Sequence, residues 1–168
     1  NYREAYGMFA CSGILFNHES PLRPLRFVTR KIIRGALAIS RGEESALGLG
    51  RLDIVRDWGW APEYVKAMAS MLRMDEPDDF VIATGESHSL QDFVAEAFAA
   101  LGLNWQKHVH EDTSLLRPSD LLVSSGNAEK ARMKLGWVAK SRMKDVVRKM
   151  LTAENQLVSP TSSENQSR

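Results

Sequence analysis

Between Phe16 and Val65 the chain reads FNHESPLRP (16–24), FVTRK (27–31) and LGRLDIVRDWGWAPEYV (49–65). These polar runs, rich in Asn, His, Arg and Lys, sit beside segments of regular pattern. Just upstream, Met8–Phe16 (MFACSGILF) is a short apolar run without helical spacing, which predicts a buried parallel strand. Pro21 and Pro24 exclude regular structure from the loop that follows. From Phe27 onward, apolar residues at 28, 32, 33, 36, 37 and 39 form a helical stripe ending at Gly42. Strand, polar loop and helix recur in this order along the chain, so the expected class is α/β rather than α+β. In open α/β folds the loops at the carboxyl ends of strands meet the ligand.

The flanking segments extend the pattern. NYREAYG (1–7) reads as a helix end, already in mid-helix at Asn1, with Gly7 as a left-handed cap. Ala46–Leu52 is a strand candidate, Trp58-Gly59 marks a turn, and Pro62 suits the first turn of a helix with Val65, Met68, Ala69 and Leu72 on its inner face. Phe80–Thr84 predicts a second buried strand. Ser89 to Asp92 resembles a capping box opening a helix with Phe93, Ala97, Phe98 and Leu101 inward. Trp105–His110 alternates weakly, as an edge strand would, and Ser119–Ser125 is short and apolar at its start. Asn127 is placed to cap a helix running to Leu135, and Met143–Leu151 predicts a last amphipathic helix. Residues 1–152 are expected to form one domain and residues 153–168 a disordered tail, because no apolar residue follows Val158.

Composition narrows the classes. Hydrophobic residues make up 43% and charged residues 26% of the 168, which places the chain among globular domains. A net charge of +1 gives no electrostatic footprint for nucleic acid. No apolar run approaches the length of a membrane span, and no basic-then-apolar leader is visible. Cys11 is the only cysteine, so an intrachain disulfide is excluded; a buried inert thiol in a reducing, cytoplasmic setting is expected.

Several residues carry chemistry, each with a plainer reading beside it. Asn17 and His18 would stand at a strand's carboxyl end, where an amide and an imidazole can meet a ribose or a carboxamide; a solvated turn is the alternative. Arg23, Arg26, Arg30, Lys31 and Arg34 crowd the start of a helix, where the dipole prefers anions, so either a bound phosphate offsets them or they form a solvated basic face. In Arg56-Asp57-Trp58-Gly59, Asp57 could orient Arg56 toward a phosphate, or the two could be a surface ion pair beside a packed Trp. Arg117 is a lone cation next to Pro118. His108 and His110 share a strand face near Glu111 and Asp112, but no third ligand spacing supports a metal. Met68, Met71 and Met74 read as core or interface filling.

Together NYREAYG, ILFNHESP, FVTRK, LGRLDIVRDWG, EYVKAM, FVIATGE, LLRPSD and KLGW resemble the C-terminal portion of the GDP-mannose 4,6-dehydratase family, extended short-chain dehydrogenases/reductases, across roughly residues 1–150. The resemblance implies the C-terminal part of a Rossmann-type fold with its smaller sugar-nucleotide domain. It implies conversion of GDP-mannose to GDP-4-keto-6-deoxymannose by internal redox of NADP, in a dimer or tetramer of identical subunits. It places His18 and Arg23 at the cofactor and Asn17, Lys31, Arg56 and Arg117 at GDP-mannose. The family's glycine-rich fingerprint, Thr/Ser–Glu pair and Tyr-x-x-x-Lys have no counterpart here, since the residues four after Tyr2, Tyr6 and Tyr64 are Tyr6, Ala10 and Met68. No catalytic residue is therefore expected in this chain, which reads as a piece of the enzyme. A related nucleotide-sugar epimerase or reductase fragment and a non-catalytic nucleotide-sugar-binding subunit are the alternatives.

Overall fold

A computed structural model describes residues 1–116 and 119–158. A short helix α1 (Tyr2–Tyr6) ends at Gly7, whose φ of 60° is the left-handed cap expected from the sequence. Strand β1 (Ser12–Leu15) leads directly into β2 (Asn17–Glu19), then α2 (Val28–Ser40), β3 (Leu47–Leu49) and β4 (Val55–Trp60). Helix α3 (Ala61–Met71) follows, then β5 (Asp79–Ile82), β6 (Ser87–Ser89) and α4 (Leu90–Ala99). The rest comprises β7 (Val109–Glu111), β8 (Val123–Ser124), α5 (Glu129–Leu135) and α6 (Met143–Val158).

The strands form parallel pairs, as the α/β reading requires. β1 runs parallel to β5, β2 to β4, β3 to β7, and β8 to β4; among the described residues β6 alone is antiparallel, against the first half of β4. β4 is thus the hub, pairing β6 and β8 through Val55–Asp57 and β2 through Trp58–Trp60. One apolar cluster packs α2, α4 and α6 over Leu47, Leu49 and Trp58. A second gathers Tyr64, Ala67, Met71, Phe80, Ile82 and Trp137 between α3, β5 and the α5 region. Each fully buried Ile or Phe in these clusters contributes roughly 1.5–3 kcal/mol.

Helix α2 matches its stripe: Ile32, Ile33, Ala36, Leu37 and Ile39 are buried. At the start of α4, Ser89 Oγ accepts from the Asp92 N–H while the Asp92 carboxylate accepts from the Ser89 N–H, a complete capping box. Five expectations change. Trp58-Gly59 is strand interior rather than a turn, because Trp58 packs into the core against Phe93 at 5.2 Å between ring centroids. Helix α3 turns its other face inward: Tyr64 is fully buried, whereas Val65 and Leu72 are 59% and 65% exposed. β1 is parallel but Ser12, Gly13 and Ile14 are exposed, since its only partner among the described residues is β5. Trp105–His110 splits into a 3-10 turn at Trp105–Lys107 and β7, which pairs with β3. Finally, α6 continues to Val158, past the boundary expected for the tail, because Glu154 is buried against α2. The remaining tail, 159–168, lies outside the described residues.

Candidate functional site

The site grows from the β2–β4 pair. Register sets Asn17 opposite Trp58, His18 opposite Gly59 and Glu19 opposite Trp60. His18 Nδ1 lies 2.8 Å from the Phe16 carbonyl oxygen, and its ring stacks on Tyr64 at 4.9 Å between centroids. Glu19 points inward and is 1% exposed. It accepts from Thr29 Oγ1 at 2.8 Å and faces Arg23 Nε at 3.1 Å, while its Oε1 has no hydrogen-bond partner among the described residues. Burial pushes the Glu19 carboxyl up, against the opposing pull of Arg23 and of the Thr29 hydroxyl. Arg23 in turn lies over the Phe27 ring at 3.9 Å, which fixes the plane of its guanidinium.

The basic residues of α2 divide by what neutralises them. Arg30 Nη2 and Arg34 Nε lie 3.0 and 3.3 Å from the Glu154 carboxylate, and Arg41 donates to Asn155 at 2.8 Å. These cations dock α6, a use that neither a phosphate site nor a solvated face had suggested. Lys31 differs: its Nζ donates to the Gly48 carbonyl at 2.7 Å and it forms no ion pair among the described residues, although Asp112 feels its charge. Arg26 is exposed.

Arg56 resembles Lys31 in this respect. Its Nη1 donates to its neighbour's carbonyl, Val55 O, at 2.8 Å, and no carboxylate pairs with it among the described residues. Asp57 does not orient it. The buried Asp57 carboxylate instead accepts from the backbone N–H groups of Thr84 and Gly85, both at 2.9 Å, clamping the end of β5 to β4. Register puts His88 of β6 and Ser124 of β8 beside Arg56. Arg117 and Pro118 lie outside the described residues.

The fold therefore brings Asn17, His18 and Arg23 together around β2, with Arg56 on the strand paired to it, and ties Lys31 to the β3–β7 pair. Two hollows lie nearby. One of about 440 Å³ runs along α2 and mixes Lys31, Arg34 and Arg41 with Glu43, Glu44 and Glu154, so its field has no single sign. The other, about 400 Å³, holds Arg132 and Arg142, which are paired with Glu129 and Glu86. Among the described residues no group of three or more His, Cys, Asp or Glu converges on a metal position.

Sequence reading missed Glu19, Glu63 and Tyr64. Glu63 accepts from the Lys140 N–H at 2.7 Å and from the Ser141 hydroxyl, and its own carbonyl accepts from Trp137 Nε1 at 2.9 Å. Burial alone would raise the Glu63 carboxyl, but these donors outweigh it and hold the group below its ordinary value. Burial, reinforced by the charges of Asp57 and Glu63, pushes the Tyr64 phenol well above its ordinary range, so it is no base at neutral pH.

Comparison with known proteins gives the class first. The RMD protein of Pseudomonas aeruginosa, solved in complex with NADPH, matches with a TM-score of 0.84 at 17% identity, covering 94% of this chain and 52% of that one. The fold is thus that of the extended short-chain dehydrogenases/reductases. The family is narrower: the model of the GDP-mannose 4,6 dehydratase family matches residues 1–150, and the chain belongs to that family. GDP-mannose 4,6 dehydratase 1 of Arabidopsis thaliana is 46% identical over 157 residues, covering 94% of this chain and 44% of the relative. The human GDP-mannose 4,6 dehydratase is 43% identical over 175 residues, covering 94% and 47%. The chain therefore spans less than half the length of these relatives. No helix among the described residues is long and apolar enough to cross a membrane.

Proposed function

We propose that the full-length protein is a GDP-mannose 4,6-dehydratase, and that this chain supplies its grip on the sugar nucleotide and part of its NADP contact. The observation that carries the reading is 46% identity over nearly the whole chain to a curated member of the family. The local geometry supports it. Lys31 and Arg56 are anchored on carbonyl oxygens, so each keeps its charge and further N–H donors for a diphosphate. Asn17, on the strand paired with that of Arg56, offers an amide to the same ligand, and Arg117 completes the proposed set.

The residues present also fit a dinucleotide. His18 Nε2 has no partner among the described residues, and both Nη nitrogens of Arg23 are likewise unengaged. His18 and Arg23 would hold NADP. Because Glu19 balances its charge, Arg23 acts there as a directional donor more than as a net cation. Bound NADP supplies a hydride acceptor that is regenerated within each turnover. This chain binds and orients, and moves no proton in this reading; the Tyr64 phenol is too weak an acid and too deeply buried for that task. The proposal extends to a homo-oligomeric, dimeric or tetrameric, cytoplasmic enzyme, a setting that suits the free Cys11 thiol.

The test is to incubate the full-length protein with GDP-mannose and follow the sugar by NMR. Loss of the C6 hydroxyl with appearance of a 4-keto group is expected. Untouched GDP-mannose beside turnover of another nucleotide sugar would move the protein to a related epimerase or reductase. Binding without turnover of any sugar nucleotide would make it a binding subunit.

A further inference from the structure

His18 is held more tightly than a ligand contact alone requires. Its Nδ1 lies 2.8 Å from the Phe16 carbonyl oxygen, and a carbonyl can only accept, so the proton of the neutral ring sits on Nδ1. Nε2 is then an acceptor. One face of the imidazole is stacked on Tyr64, with 22° between the rings. Tyr64 is fully buried and is braced on its other side by Trp137, edge to face at 5.6 Å. The ring has room only because residue 59 is glycine: a Cβ there would fall inside van der Waals contact of the Tyr64 ring. Gly59 is also the residue paired with His18 in the sheet, so backbone and ring define the imidazole from two directions. The Tyr64 hydroxyl has no hydrogen-bond partner among the described residues, which leaves the ring, not the phenol, as the working part.

We infer that Tyr64 is a positioning residue. It holds the His18 ring against the Phe16 carbonyl, and so in the Nδ1–H form, so that Nε2 accepts a hydrogen bond from an N–H or O–H donor on the bound dinucleotide. The inference rests on the reading of His18 as a cofactor contact. The ligand group opposite His18 is therefore a hydroxyl or a carboxamide N–H and never a phosphate oxygen, which has no proton to give.

The experiment uses the full-length protein with 15N-labelled histidine at pH 8. Two-bond 15N–1H spectra read the tautomer, and loss of one set of peaks in His18→Ala assigns it. Wild type and Tyr64→Phe should show the Nδ1–H pattern and equal NADP affinity. Tyr64→Leu should show a mixed pattern and bind NADP on the order of tenfold more weakly, the loss of about one hydrogen bond. An NADP analogue with an acetyl group replacing the carboxamide should bind wild type about tenfold more weakly than NADP if the carboxamide is the donor. Equal binding assigns the donor to a hydroxyl. An Nε2–H pattern in wild type, or a Tyr64→Leu protein unchanged in both pattern and affinity, overturns the inference. Unchanged NADP affinity in His18→Ala overturns the cofactor reading instead, even where the Nδ1–H pattern stands.

Discussion

Arg30 of α2 and Glu154 of α6 meet at 3.0 Å, joining residues 124 apart in the chain, and Arg34 reaches the other oxygen of the same carboxylate. The pair is mostly withdrawn from water, so removing one partner leaves a charge that the fold cannot easily hydrate. Glu154→Ala in the full-length protein is expected to cost about 2 kcal/mol of stability. Denaturant unfolding measures it. A change within error would mean that apolar packing of α6 on α2 suffices by itself.

Glu63 should make stability depend on pH. Its carboxyl is held below the ordinary value of 4.5 in the folded protein, so it binds a proton more readily when unfolded. The stabilisation is therefore fully present above that value and is lost as pH falls through the lower native one. Glu63→Gln is expected to cost about 1–2 kcal/mol at pH 7 and progressively less in acid. Urea titrations of both proteins at pH 7, 5.5 and 3.5 decide it. An equal difference at all three would show that the carboxylate charge contributes nothing there.

The legible parts of this fold were local. The stripe of α2 and the Ser89–Asp92 box lie within a few residues of one another, and periodicity or capping chemistry reads them directly. Helix α3 defeated the same reasoning because it is apolar on two faces, with Val65, Met68 and Leu72 on one and Tyr64, Ala67 and Met71 on the other. Spacing cannot choose between them; burial of the larger Tyr64 ring does. The cations were visible and their uses were not. Whether an arginine meets a ligand or a carboxylate depends on what lies opposite it, and for Arg30 that residue comes from the last helix. Asp57 was misread for the same reason, since its partners are backbone N–H groups of Thr84 and Gly85.

Gly59→Ala tests the space that Tyr64 occupies. The added methyl has to displace the ring or the strand, an overpacking cost of about 1–3 kcal/mol. Tyr64→Leu should remove much of that penalty, so the double variant is expected to be more stable than the sum of the single losses. Strict additivity would mean that Gly59 is required for another reason.

The charge left on each cation sorts the sugar-nucleotide candidates. Lys31 and Arg56 rest on carbonyl oxygens, whereas Arg34 is neutralised by Glu154. In the full-length protein, Arg56→Ala is expected to weaken GDP-mannose binding by about 2 kcal/mol, roughly thirtyfold. Lys31→Ala should weaken it by a smaller factor, because an ammonium makes a less directional phosphate contact. Arg34→Ala should lower stability slightly and leave affinity unchanged. Calorimetric titration of the three variants at two salt concentrations separates these outcomes, since a lost phosphate contact also flattens the salt dependence. If Arg34→Ala matched Arg56→Ala in lost affinity, the sugar nucleotide would lie along α2 and not beside β4.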